Sequence, residues 1–263
     1  MTKTLKTNIN KEIQTSLLRL GENGALQFMK LSTEDEGLSA SMITMMSIDA
    51  HRANLPICLK IGGCETKRDI MLARIIQAEC IIAPMIQSEY DVKKFVKAAK
   101  SIYALDTIPM LAINIETIKG IKNLHNILKC PEAKNISRIV IGRTDLSGSI
   151  GISKDCVDNN EMFNCLNNVS KTVANTTKEL FIGGNVSVRS ITFFKKLPFI
   201  TGFETRNFGF DASVLKSKDI ASSIIKNALD TEKLLLQKKI SFFSDIIESD
   251  KMRCTQIDKR LKI

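Results

Sequence analysis

Aromatic residues that stack on nucleic-acid bases are scarce in this chain of 263 residues, which has no tryptophan and two tyrosines. The formal net charge is nevertheless +10. Residues 1–19 contain four Lys or Arg and one Glu, and residues 233–263 contain eight Lys or Arg and four acidic residues, so the two ends hold +7 of that charge. The basic ends are not interleaved with aromatic residues or arginine–glycine tracts. We therefore interpret them as solvated tails and expect no nucleic-acid partner.

Long apolar runs and paired cysteines are also missing. No run approaches the ~18 apolar residues that a membrane-spanning helix requires, so we expect no membrane partner. The opening residues, MTKTLKTNINKEIQ, lack the apolar core of a secretory signal. The seven cysteines show no CxxC spacing, which argues against a zinc site, and an odd, scattered set is typical of reduced thiols. The expected location is therefore the cytoplasm.

Short apolar runs rich in Ile and Val are present and alternate with amphipathic stretches. Near-continuous apolar strands, each followed by a helix, predict a parallel sheet covered on both faces. No glycine-rich nucleotide loop such as GxGxxG follows any run. Seven strands are legible, at residues 25–32, 57–63, 80–86, 109–116, 138–142, 180–184 and 199–205.

The length and the regular repeat predict an α/β fold, a (β/α)8 TIM barrel, with a doubly wound open sheet as the alternative. The first strand is expected to be atypical, because the first strong element, at about residues 8–20, has a helical pattern. We expect residues 1–263 to form a single TIM-barrel domain with its core at about residues 25–210. The helical pattern at about 215–263 predicts a C-terminal extension that packs on its own barrel or on a neighbouring subunit.

Carboxylates and cations stand where the predicted strands end, which is where the functional residues of parallel barrels collect. Glu116 and Asp145 follow adjacent strands, and two oxygen donors meeting at a barrel mouth suit Mg²⁺ or Mn²⁺. In the alternative reading, each carboxylate caps the helix that follows it. Around Asp145, small residues let backbone N–H groups approach an anion, and a helix starting near Ser147 adds its positive end. The residues predicted to bind substrate are Gly142, Arg143, Thr144 and Arg206.

Three stretches resemble, in chain order, core motifs of the pyruvate-dependent class II aldolase and citrate lyase β-subunit family (HpcH/HpaI aldolase-like). They are APMIQSEYDVKKFVKAA (83–99), INIETIKGIKNLHNIL (113–128) and IVIGRTDLSGSIG (139–151). The family pairs a proline–methionine strand end, an ET strand end followed by a helix, and a G-x-x-D-L-S-x-S-L-G turn. The resemblance covers roughly residues 25–210 and implies a barrel of the phosphoenolpyruvate/pyruvate superfamily.

The resemblance also implies a function. Glu116 and Asp145 fall on the two metal-binding carboxylates of the family, and Lys60 falls where these enzymes carry an arginine that touches the keto oxygen. The implied activity is a divalent-metal-dependent carbon–carbon lyase or aldolase that forms an enolate of pyruvate or a related α-keto acid. The expected partners are that acid and an aldehyde or acyl acceptor, and the protein is expected to be a homo-oligomer, a trimer or hexamer.

The chain also departs from the family. Many of these aldolases have a histidine base after the second strand, whereas this chain has STEDEG, and its two histidines lie on predicted helices. Glu34 and Asp35 are therefore the predicted proton-transfer groups, with Lys60 beside them, unless this acidic segment is only a solvated loop. The arginine-rich N-terminal motif of citrate lyase-like enzymes is missing as well. A barrel that binds a ligand or a partner protein without aldol chemistry remains the alternative function.

Overall fold

Eight strands close into one barrel in the computed structural model, which describes residues 3–34 and 38–261. Neighbours along the chain are neighbours in the sheet, and β8 pairs with β1 to close it. This arrangement confirms the predicted barrel and excludes the open sheet. The strands are β1 (Leu26–Ser32), β2 (Ile57–Lys60), β3 (Cys80–Ala83), β4 (Met110–Ile115), β5 (Ile136–Gly142), β6 (Glu179–Gly183), β7 (Gly202–Glu204) and β8 (Phe208–Asp211).

The last strand departs from the regular (β/α)8 pattern. Strands β1 to β7 run parallel, whereas β8 is antiparallel to both β7 and β1. Only residues 205–207 separate β7 from β8, so the two form a hairpin instead of a crossover unit. The strand that the sequence pattern did not reveal is therefore β8, whose four residues are too few to show a pattern and have no crossover helix before them. The first strand has this antiparallel neighbour on one side and parallel β2 on the other.

Helices cover the outside of the barrel and fill most of the crossovers between strands. Thr117 caps α5 with its side chain, because Gly120 N donates a hydrogen bond of 3.1 Å to Thr117 Oγ1. Helix α6 begins directly after β5, four residues before the predicted start near Ser147. The helices are α1 (Lys3–Gly21), α2 (Ala40–Arg52), α3 (Lys67–Ile75), α4 (Glu89–Ile102), α5 (Ile118–Lys129), α6 (Arg143–Ile150), α7 (Asn160–Ala174), α8 (Ser190–Phe194) and α9 (Lys218–Leu261).

The barrel interior is closed at the amino ends of the strands. The guanidinium carbon of Arg138 lies 4.8 Å from the ring centre of Phe28 and 4.1 Å from that of Phe181, and Arg138 Nε donates to Glu179 at 2.7 Å. Buried side chains from the other strands fill the space around this layer. Because this end is packed, a cavity inside the barrel can open only at the carboxyl ends of the strands.

The C-terminal extension is one helix of 44 residues. Its first half packs on the barrel and on α1 through buried residues such as Ile224, Ile225 and Leu235, and Lys238 forms a buried ion pair with Asp49 of α2. In its second half, residues 243–258 are exposed. In the described part of the chain, no helix combines the length and the apolar character needed to cross a membrane.

Candidate active site at the carboxyl ends of the strands

A cavity of about 170 Å³ opens at the carboxyl ends of the strands. Because a single water needs only about 10–15 Å³ measured in this way, the cavity has room for a small organic acid. Six of the residues predicted from the strand ends line it, and they lie in or directly after four strands, β2, β4, β5 and β7. They are Lys60, Glu116, Gly142, Thr144, Asp145 and Arg206.

Glu116 is a buried carboxylate with a fixed orientation. It follows β4 and is 2 % exposed. Met85 N donates to its Oε1 at 3.0 Å, and Asn114 Nδ2 donates to its Oε2 at 3.1 Å. Burial raises the pKa of the Glu116 carboxyl. The nearby Lys60 ammonium lowers this pKa, whereas the negative charge of Asp145 raises it further. A cation at this place would relieve the cost of burying the charge.

Neither predicted metal carboxylate is a helix cap. Thr117, not Glu116, caps α5. Gly142 is the N-cap of α6, and Asp145 lies in the first turn of that helix, exposed at the cavity. The alternative reading of both residues as caps is therefore wrong. The first turn of α6 also brings its unpaired backbone N–H groups and the positive end of the helix to the cavity wall.

Two glycines allow close packing around the Glu116 carboxylate and the start of α6. A Cβ atom at Gly142 would lie 2.4 Å from Glu116 Oε2, so any other residue there would displace the carboxylate. Gly184 has a φ of +84°, and a Cβ atom there would lie 2.5 Å from Thr144 N. This close approach is what allows the β6 end to meet the first turn of α6.

Lys60 joins the predicted proton-transfer region to the predicted metal region. Its Nζ lies 2.7 Å from Glu34 Oε2 and 3.8 Å from Glu116 Oε1, and its side chain is 6 % exposed. The structure thus brings Lys60, Glu34 and Glu116 together, although Glu34 does not itself line the cavity. Asp35, the other predicted acid–base residue, lies outside the described residues.

The side chain of Arg143 does not face the cavity, which corrects its prediction as a substrate-binding residue. It is fully buried. Its Nε donates to Gly183 O at 3.0 Å, its Nη2 donates to Gly184 O at 2.8 Å, and it forms an ion pair with Asp158. The guanidinium therefore ties the start of α6 to the end of β6. A position directly after a strand end was therefore a misleading signal for Arg143. The helix that begins at this residue determines whether its side chain points into the cavity or away from it.

Seven cavity residues were not among the predicted site residues, and three of them are Lys30, Asn114 and Glu204. Lys30 lies inside β1, Asn114 lies inside β4, and Glu204 ends β7. Lys30 forms an ion pair with Glu204, and both side chains are buried or nearly so. Successive side chains of a strand point to opposite faces, so a polar residue at an inward position of an otherwise apolar strand faces the barrel axis. This alternation could have predicted Lys30 and Asn114 as cavity residues.

Comparisons with known proteins agree with this fold. Residues 44–182, more than half of the chain, match the model of the HpcH/HpaI aldolase/citrate lyase family. No curated protein matches the chain.

Among solved structures, an HpcH/HpaI aldolase/citrate lyase family protein from Burkholderia cenocepacia J2315 aligns with a TM-score of 0.60 at 11 % identity, over 78 % of this chain and 93 % of that one. The citrate synthase SbnG aligns with a TM-score of 0.60 at 16 % identity, over 85 % and 90 %. An HpcH/HpaI aldolase from Desulfitobacterium hafniense DCB-2 aligns with a TM-score of 0.57 at 13 % identity, over 72 % and 80 %.

Identities this low show a shared fold, whereas the match to the family model extends to sequence. That match spans β2 to β6 and includes the segments that carry Lys60, Glu116 and Asp145. Membership supports a lyase or aldolase activity for the barrel. The chain belongs to the HpcH/HpaI aldolase/citrate lyase family.

Proposed function

We propose that this protein is a divalent-metal-dependent carbon–carbon lyase or aldolase that acts on pyruvate or a related α-keto acid through an enolate. The observation that carries the proposal is the placement of Glu116 and Asp145 on one cavity beside Lys60. The second substrate or product is an aldehyde or acyl compound. The chain is proposed to work as a homo-oligomer.

The donor set fits Mg²⁺ or Mn²⁺. Glu116 and Asp145 supply hard carboxylate oxygens, and Asn114 Oδ1 is a buried oxygen without a hydrogen-bond partner in the described residues. No three His, Cys, Asp or Glu side chains of residues 3–34 and 38–261 form a metal cluster. A cation held by two carboxylates keeps positions for water and substrate, as Mg²⁺ prefers. When bound, it would supply Lewis-acid stabilisation of charge on the keto oxygen.

The protein groups around this position bind and orient the acid. Backbone N–H groups at the first turn of α6, near Thr144 and Asp145, would hold the carboxylate of the acid. The Lys60 ammonium lies between the Glu116 and Glu34 carboxylates and would contact the keto oxygen, in the role that the family gives to an arginine. A lysine offers a point charge there instead of a planar fork, so the contact is less directional.

The test is exchange of the pyruvate methyl protons in D2O, followed by NMR with and without Mg²⁺ or Mn²⁺. We expect metal-dependent exchange in the wild type, and loss of at least 100-fold in Glu116→Gln and Asp145→Asn. Binding of Mn²⁺, measured by electron paramagnetic resonance, should weaken in the same two variants.

Asp106→Asn is a matched control, because Asp106 forms an exposed ion pair with Arg74 away from the cavity. It should exchange and bind like the wild type. Exchange that persists in the presence of a chelator would contradict the metal-dependent mechanism. Absence of both exchange and Mn²⁺ binding in the wild type would favour the barrel that binds without aldol chemistry.

A further inference from the structure

A second buried carboxylate, Glu204, lines the cavity and has no part in the function proposed above. The residue is 2 % exposed, and its Oε1 forms the ion pair with Lys30. Its Oε2 is buried and accepts no hydrogen bond from the residues that the structure describes. Buried carboxylate oxygens in native proteins nearly always have a donor, so one facing a cavity without a donor marks a place where a ligand donor belongs.

The side chains of Glu116 and Glu204 lie over two neighbouring glycines. Gly142 of β5 and Gly183 of β6 are register partners in the sheet, about 4.8 Å apart. The Glu116 side chain lies over Gly142, and a Cβ atom at Gly183 would lie 3.1 Å from Glu204 Oε1. The two carboxylates therefore lean over neighbouring strands from β4 and β7. Because both glutamates line the cavity, a small acid bound there would lie within reach of both carboxylates.

We propose that Glu204 is the general base toward the hydroxyl group of the substrate, an assignment that rests on the proposed function. In cleavage of a 4-hydroxy-2-oxo acid, the hydroxyl proton passes to Glu204 Oε2 and the hydroxyl oxygen becomes the carbonyl oxygen of the released aldehyde. The adjacent carbon–carbon bond breaks, and its electron pair forms the enolate of the keto acid. In the reverse direction Oε2 returns the proton. Lys30 holds Oε1 and so directs Oε2 at the substrate.

Glu34, the residue predicted for proton transfer, is less suited to this step. Its Oε2 is held at 2.7 Å by Lys60 Nζ, and the residue does not line the cavity. Glu204 lines the cavity, and its Oε2 accepts no hydrogen bond from the described residues. A proton-transfer group must lie within hydrogen-bond reach of the reacting oxygen before its acidity matters.

Three reactions separate this role from the rest of the mechanism. Cleavage of 4-hydroxy-2-oxopentanoate requires removal of a hydroxyl proton. Decarboxylation of oxaloacetate leads to the same enolate and has no hydroxyl to deprotonate, and methyl exchange of pyruvate involves the keto acid alone. We expect Glu204→Gln, with Mg²⁺, to lose at least 100-fold in cleavage and to stay within about threefold of the wild type in the other two reactions.

Glu179→Gln is the matched control, because it removes a carboxylate from an ion pair with Arg138 at the closed end of the barrel. It should retain all three reactions. Lys30→Met provides a second variant if Glu204→Gln does not fold, and it should show the same selective loss. Equal losses in all three reactions, or unchanged cleavage in a folded Glu204→Gln, would overturn the role of Glu204. A wild type inactive in all three would instead overturn the proposed function.

The outer face of α9 carries an apolar stripe that the barrel does not cover. Its residues are spaced alternately by four and three, which is the heptad pattern of paired helices. All of them are exposed, and among the large apolar residues the highest exposed fractions are 65 % for Ile240 and 54 % for Ile247. We define the outer stripe as Leu229, Lys233, Leu236, Ile240, Phe243, Ile247, Asp250, Cys254 and Ile257.

The two charged positions of the outer stripe determine which pairing is favourable. In a parallel pair, Lys233 would face Lys233 and Asp250 would face Asp250, so both contacts would be repulsive. In an antiparallel pair centred between Ser241 and Phe242, Lys233 meets Asp250 of the second copy. The same register places Ile240 on Phe243 and Leu236 on Ile247. Outside the stripe, it places Asp230 beside Lys251.

From this self-complementarity we infer that the outer stripe binds a second copy of this chain as an antiparallel, two-fold helix pair. The projecting half of each α9 then covers the outer face of the half that packs on the other barrel. The overlap of residues 229–254 is about 39 Å long at 1.5 Å per residue. Because the stripe is on the exposed side of α9 and the pair is antiparallel, the two barrels would lie on opposite sides of the pair and towards opposite ends of it.

Light scattering after size exclusion at micromolar concentration tests the pairing. We expect Ile240→Glu to reduce the molar mass to that of smaller assemblies, whereas Met252→Glu, an exposed apolar position off the stripe, should leave it unchanged. Lys233→Glu should weaken the assembly, and adding Asp250→Lys should restore it. A monomeric wild type, or an Ile240→Glu variant with unchanged mass, would overturn the inference.

Cysteine cross-linking tests the register. In the antiparallel pair Cys254 faces Leu229 of the second copy. Leu229→Cys should therefore form an interchain disulfide with Cys254 when oxidised glutathione is the oxidant, and Cys254→Ser should prevent it. A disulfide between the two Cys254 residues of a wild-type pair would show a parallel arrangement and overturn the inference.

Discussion

Replacing Gly142 with alanine should displace Glu116. The added Cβ would lie 2.4 Å from Glu116 Oε2 and 3.1 Å from its Cβ, whereas ordinary contacts begin at 3.4 Å. The carboxylate must therefore move by about 1 Å away from Gly142. Its hydrogen bonds with Met85 N, at 3.0 Å, and Asn114 Nδ2, at 3.1 Å, leave little room for that movement. The φ of Gly142 is −84°, so backbone strain plays no part.

This displacement should affect both the stability of the protein and the rate of proton exchange. Overpacking costs about 1–3 kcal/mol, and weakening a buried hydrogen bond to a charged group adds about 1–3 kcal/mol, so we expect the free energy of unfolding to fall by roughly 2–6 kcal/mol. A displacement of about 1 Å at a positioned group lowers a rate by about 100-fold. Urea unfolding followed by circular dichroism measures the first effect, and metal-dependent pyruvate methyl exchange measures the second.

Gly148→Ala is the matched control in the same region. Gly148 lies within α6, and a Cβ atom there meets no atom within 4 Å. Alanine should stabilise the helix by about 0.5–1 kcal/mol and leave exchange unchanged. If Gly142→Ala exchanges pyruvate protons at the wild-type rate, the inference that the reaction depends on the exact position of the Glu116 carboxylate is wrong. Equal loss in Gly148→Ala would locate the sensitivity in α6 instead of at the carboxylate.

Three smaller predictions concern groups around the site. Arg143→Met should lower the free energy of unfolding by at least about 2 kcal/mol, because it removes the donors to Gly183 O and Gly184 O and the ion pair with Asp158, and chemical denaturation measures this loss. Thr117→Ala should cost about 1 kcal/mol through the lost cap of α5, measured in the same way. Burial raises the pKa of the Glu232 carboxyl above 4.5, so its contribution to stability is present below pH 4.5 and is lost as the pH rises through the raised folded value. Glu232→Gln should remove this loss in a pH series of melting temperatures.

The sequence predicted the barrel, and the strand ends predicted most of one cavity wall. Lys60, Glu116 and Asp145 each follow an apolar run, and parallel strands bring their carboxyl ends to one face, so proximity follows from topology alone. Strand β8 could not be predicted in this way. Its four residues contain two buried phenylalanines, and its antiparallel direction depends on the turn at residues 205–207, which an alternating strand–helix pattern does not encode.

Side-chain direction was the second limit. Arg143 and Asp145 are two residues apart after the same strand, yet the first is fully buried and the second is exposed at the cavity. The difference follows from where α6 begins, since two residues on a helix point about 200° apart. A helix beginning near Ser147 would have left both residues in an extended segment and pointing the same way. Shifting a helix start by four residues is within the ordinary uncertainty of sequence patterns, and it is enough to misassign a ligand contact.

The pairing of Gly142 with Gly183 shows why the second carboxylate becomes visible only in three dimensions. In the sequence these glycines are 41 positions apart, each at the end of an apolar run, and each alone is compatible with a simple strand end. Their register in the sheet places them side by side, and the side chains of Glu116 and Glu204 lean over them from the two flanking strands. The neighbouring positions of the two carboxylates thus depend on the order of four strands, β4 to β7. Each side chain is buried over one glycine. A larger residue at Gly142 would therefore displace the Glu116 carboxylate, and a larger residue at Gly183 would displace the Glu204 carboxylate, each without moving the other.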